Sequence, residues 1–112
     1  MDLSHFTGSD QFYRHQFGLN YTEGIKYLAE NAGAYWLIDT IASYQNVLNS
    51  DKRLSEFQLW ELKVANKSAV LTCKGDSNEQ PKITQEIEFT DFPMDHIMLY
   101  VEGGMLLLPQ EH

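Results

Sequence analysis

The segment Gly33-Ala34-Tyr35-Trp36-Leu37-Ile38-Asp39-Thr40-Ile41-Ala42-Ser43-Tyr44-Gln45 is apolar around most of its girth. Ala34, Leu37, Ile38, Ile41, Ala42 and Leu48 recur at the three-and-four spacing of one helix face, and Trp36, Tyr44 and Val47 widen it. This spacing predicts a helix from about Ala34 to Leu48, ending in the turn formers Asn49-Ser50-Asp51-Lys52. So apolar a helix has to be covered. A short helix before it and a run of β-type segments after it are the material available.

Upstream, residues 3–20 carry Phe6, Phe12, Tyr13, Phe17 and Leu19, an aromatic density that predicts docking on the core. Ser9-Asp10 is a reasonable start for a short helical turn through Gln16. Asn20-Tyr21-Thr22-Glu23 has capping-box spacing, so a helix should follow, with Tyr21, Ile25, Leu28 and Ala32 along one stripe. Gly33 is placed to end that helix or to open the next. Gly24 inside it costs roughly 1 kcal/mol relative to Ala, which predicts a close backbone neighbour, the following helix being the obvious one.

Downstream of Glu56 the period changes to two. Phe57 to Val64 reads as a strand, Ala65-Asn66-Lys67-Ser68 as a tight connection, and Ala69 to Cys73 as its hairpin partner. A polar loop from Gly75 to Pro81 leads to a third strand, Ile83 to Phe89, with one wet face. His96–Val101 and Met105–Leu108 flank Glu102-Gly103-Gly104, a second hairpin with its glycines at positive φ. The expected fold class is α+β, with N-terminal helices packed on one face of an antiparallel β-meander of about five strands. Leu59, Leu71, Ile87 and Leu99 would cover the central helix, and the opposite face would carry the carboxylates. Residues 1–112 are expected to form a single compact domain, mainly helical over 1–50 and mainly β over 55–110.

With 112 residues, 43% hydrophobic and 21% charged, the chain has the composition of one globular domain. A net charge of −8, with only eight Lys and Arg scattered along it, argues against direct nucleic-acid binding and against anionic membranes. No apolar run approaches the ~20 residues that span a bilayer, and the first residues lack the basic and apolar regions of a signal peptide. A cytoplasmic location is expected. The single cysteine, Cys73, rules out an internal disulfide and a thiolate-built zinc cluster.

Tyr21-Thr22-Glu23-Gly24-Ile25-Lys26-Tyr27-Leu28-Ala29-Glu30, then Gly33-Ala34-Tyr35-Trp36-Leu37-Ile38-Asp39 and the closing Leu106-Leu107-Leu108-Pro109, resemble a family of small bacterial proteins, domain of unknown function family 6876. The resemblance runs over nearly the whole chain. It implies a bacterial, cytoplasmic protein of one compact domain, and it brings no activity, cofactor or catalytic residue.

Candidate chemistry is therefore sought residue by residue. The four histidines, at positions 5, 15, 96 and 112, show no close metal-binding pair, so neither a metal site nor a cofactor is expected. Asp39 lies between Ile38 and Ile41 and is expected at the partly buried edge of the core, in a pocket lined by Tyr35 and Trp36. His15, in Tyr13-Arg14-His15, is the other candidate acid, base or anion contact. Either residue reads equally as a structural polar group. Cys73 reads as inert packing.

Three functions follow from these features. The leading one is a non-catalytic module that binds a protein partner or itself, suggested by the missing catalytic constellation and by six Tyr and two Trp. A small enzyme or ligand binder using a pocket near Asp39 is the second. The third is a weakly acidic decoy of nucleic acid, using Glu86, Glu88, Asp91 and Asp95. Self-association is expected through the apolar Met105–Leu108 edge, unless the N-terminal arm folds back over it.

Overall fold

The computed structural model describes residues 2–7 and 11–112. Its elements are β1 (Phe12–Arg14), β2 (Asn20–Thr22), α1 (Glu23–Ala32), α2 (Tyr35–Ser43), α3 (Gln45–Leu48), α4 (Lys52–Glu56), β3 (Phe57–Ala65), β4 (Ser68–Lys74), β5 (Ile83–Ile87), β6 (His96–Glu102), β7 (Met105–Leu107) and a closing 3₁₀ turn, Pro109–Glu111. The fold is α+β, but the sheet is larger and less uniform than the sequence suggests. Seven strands lie in the order β1-β2-β7-β6-β3-β4-β5, and β2 runs parallel to β7, so the sheet is mixed and not a five-stranded antiparallel meander.

The extra strands come from the aromatic arm. Phe12–Arg14 pairs antiparallel with Asn20–Thr22 where a helical turn was expected; Ser9 and Asp10, its expected start, lie outside the described residues. Gly18, at φ 93°, closes the intervening loop, and the Gly18 amide donates to the His15 carbonyl. Strand β2 then lies along β7, with Asn20 opposite Met105 and Tyr21 opposite Leu106. The Met105–Leu107 segment is thus an interior strand, and the edge expected to drive self-association is covered by the chain's own arm.

Helix α1 begins two residues later than the Asn20 capping pattern implies. Thr22 is its N-cap, accepting through its hydroxyl from the Ile25 amide at 3.3 Å. Gly33, left-handed at φ 61°, ends it and donates to the Ala29 carbonyl. Gly24 is tight against Glu111 of the closing turn: a Cβ there would stand 2.8 Å from the carboxyl carbon and both its oxygens. Its expected neighbour, the following helix, is not what crowds it.

The central helix is broken at Tyr44. In an unbroken helix the Gln45 amide nitrogen would bond the Ile41 carbonyl; instead the Gln45 side chain donates to that carbonyl at 3.0 Å. The Ser43 hydroxyl likewise takes the Thr40 carbonyl, the kind of side-chain competition that bends a helix. Gln45 is thereby turned inward onto Gln58. The two amides bond reciprocally at 2.8 and 3.0 Å, Gln58 also donates to the Leu54 carbonyl, and the Trp60 indole donates to Gln58. Gln58 is 1% exposed, so this is a buried polar network with its groups paired.

Leu37, Ile38 and Ile41 share one core with Trp60, Leu62, Leu71, Cys73, Leu99, Val101 and Leu106. Alternation along β3 puts Trp60 and Leu62 on that side. Leu59, expected there too, stands opposite Tyr100 and Lys74 on the other face, where it is buried together with Leu107. That face also carries Glu61 and Glu102, each bonded to a histidine, His96 and His112 respectively, at 2.5 Å. Among the described residues no helix is long and apolar enough to cross a membrane.

Candidate interaction surface at the N-terminal hairpin

Two of the residues singled out from the sequence meet. The His15 Nε2 lies 2.6 Å from Asp39 Oδ1, joining the β1–β2 loop to α2. Phe17 fixes the tautomer: its backbone amide donates to His15 Nδ1 at 3.1 Å, so Nε2 carries the proton and donates it to the carboxylate. Both ring nitrogens are engaged. The imidazole keeps no lone pair for a substrate, and the pair works as a clamp.

Asp39 is not at a buried edge. Its side chain is 63% exposed, because α2 turns this residue outward while Ile38 and Ile41 turn in; the His15 side chain, at 10%, is the sheltered partner. Tyr35, one turn earlier, is exposed as well. Trp36 does not join them: it packs against the core, and its carbonyl accepts from the Thr40 hydroxyl at 2.7 Å. Tyr35 and Asp39 face solvent while Trp36 packs inward, so the three do not line one pocket as expected. One turn further along α2, a depression of about 270 Å³ is lined by Phe17, Ala42, Ser43 and Asn46.

Nearby, the Tyr13 and Tyr21 rings stack at 5.6 Å, and the Lys26 ammonium sits 4.5 Å over Tyr13. Burial, followed by the neighbouring Tyr35, raises the Tyr21 hydroxyl above its ordinary pKa. Tyr13 raises the Lys26 ammonium in turn. Sequence reasoning missed this grouping, although the run of aromatic residues from Phe12 to Tyr21 carried its signal.

Elsewhere, burial pushes the Cys73 thiol up to about 12, far from a reactive thiolate. No group of three or more metal-ligating side chains occurs among the described residues. Glu86, Glu88, Asp91 and Asp95 are all exposed, spread from β5 along the connection to β6.

Over residues 1–112 the chain matches the model of a family of unknown function, DUF6876. The chain belongs to this family. No curated protein and no solved structure matches it.

Proposed function

We propose that this member of DUF6876 is a non-catalytic protein-interaction module whose contact surface is formed by the N-terminal hairpin and the outer side of α2. The exposed aromatic side chains there carry the reading: Phe17 is 61% exposed and Tyr35 44%, and Phe12, at 55%, projects from the other face of β1, the terminal strand of the sheet. Aromatic side chains are enriched at interface cores, and an edge strand offers unpaired backbone groups to a partner. The His15–Asp39 clamp supports the same reading, since it holds the hairpin in place and consumes the imidazole that acid–base chemistry would need.

The ligand-binding alternative near Asp39 has less behind it. Its depression of about 270 Å³ is lined by one hydroxyl, one amide and no charged side chain, below the ~300–1,000 Å³ of ordinary ligand sites.

A Phe12→Ser, Phe17→Ser, Tyr35→Ser triple variant tests the proposal. Proteins captured from host lysate by the native chain, identified by mass spectrometry, should be lost with the variant while its circular dichroism spectrum is unchanged. Recovery of the same proteins by the variant, or of no specific protein by the native chain, would count against it.

A further inference from the structure

Strand β5 is the sheet edge farthest from the hairpin. With its flanking residues it reads Lys82-Ile83-Thr84-Gln85-Glu86-Ile87-Glu88, a pattern complementary to its own reverse. Laid antiparallel against a second copy with Gln85 on the twofold axis, Ile83 faces Ile87, Thr84 faces Glu86 and Lys82 faces Glu88. Every pair occurs twice. We propose that a second copy of this chain docks on β5, continuing the sheet across a twofold axis.

The two faces of the strand agree on this register. Ile83, Gln85 and Ile87 are half-buried, with Ile83 and Ile87 packed against the core, so Ile–Ile contacts would extend the apolar layer. Lys82, Thr84, Glu86 and Glu88 are exposed, and on that side opposite charges would meet. Phe89, at 70% exposure, would come opposite Pro81 of the second copy.

Other registers are worse. A one-residue slip sets the wet face of one strand against the apolar face of the other. Slipping by two in one direction brings Glu86 onto Glu86, and in the other it replaces both Ile–Ile contacts by Ile–Gln. Lys82, of the kind that commonly guards an exposed edge, is in this register matched by Glu88 of the second copy. The net charge of −8 opposes association of two copies, but at physiological salt it is screened beyond about 8 Å, a range within which the Lys–Glu pairs act.

This interface is separate from the hairpin surface, and a charge swap tests it. Sedimentation equilibrium through the micromolar range should give a dimer mass for the native chain. Lys82→Glu should weaken the dimer about ten-fold or more, because two pairs reverse sign together. The double variant Lys82→Glu/Glu88→Lys, with native net charge, should restore it, and Glu86→Lys should leave the dissociation constant within about three-fold. A monomer throughout, a double variant as weak as the single one, or a dimer indifferent to Lys82→Glu would each overturn the proposal.

Discussion

The Glu111 carboxylate fills the space that a side chain at Gly24 would need, and from there it accepts from the Thr22 hydroxyl at 2.7 Å and the Leu108 amide at 2.9 Å. A negative group at the start of α1 also opposes the positive end of the helix dipole. The glycine is thus explained by an acidic side chain more than eighty positions away in sequence.

Gly24→Ala should accordingly destabilise the native protein by about 1 kcal/mol: the displaced Glu111 loses its two bonds, outweighing the ~1 kcal/mol that Ala gains in a helix. With Glu111→Ala already present, the same Gly24→Ala change should be stabilising. Urea unfolding of the four proteins gives the coupling, and additive effects would contradict the contact.

Gln58→Leu should cost about 2–4 kcal/mol. It removes the acceptor of the Trp60 indole and both bonds to Gln45 inside a closed core, leaving polar groups unpaired. Chemical denaturation checks this, and a loss below 1 kcal/mol would mean that water or repacking replaces the network.

The His15–Asp39 clamp should act locally. Asp39 is largely exposed, so Asp39→Ala should lower global stability by less than about 1 kcal/mol. Amide hydrogen exchange in residues 12–22 should nevertheless accelerate about ten-fold, with Asp39→Asn slower because its amide oxygen still accepts from Nε2. Unchanged exchange in the hairpin would show that the pairing of β2 with β7 holds it alone.

The bond from His96 holds the Glu61 carboxyl below the usual glutamate range. A carboxylate whose folded pKa is depressed stabilises the fold above its unfolded value, about pH 4.3, and loses that contribution as pH falls through the folded value. His96→Ala should therefore raise the Glu61 pKa seen by carbon NMR, and destabilise the protein at neutral pH but not below the native Glu61 pKa. An equal loss of stability at both pH values would assign His96 a packing role instead.

Local turn chemistry made much of the β half legible. Asn66 and Lys67 are both left-handed, at φ 55° and 62°, as a two-residue hairpin between right-twisted strands requires. Gly103 and Gly104 are both at positive φ in the second hairpin. What stayed hidden was non-local. Phe12–Arg14 and Asn20–Thr22 are too short to show alternation, and their strand character comes from pairing with each other and with β7. Gln58 looks like a wet-face residue until Gln45 supplies its partner from across the core. Asp39 and His15 could each be singled out from the sequence, but their separation of 24 positions concealed that they bind one another.

The parallel pairing of β2 with β7 also sets an order of assembly during synthesis. Residues 20–22 emerge from the ribosome early, yet the strand they lie beside comprises residues 105–107, so β2 has no sheet partner on that side until more than eighty further residues have been made. The β3–β4 hairpin and the strands that join it can form first, while the arm is limited to its local contacts with α1, such as Tyr13 with Lys26, until β2 joins β7 and closes the sheet.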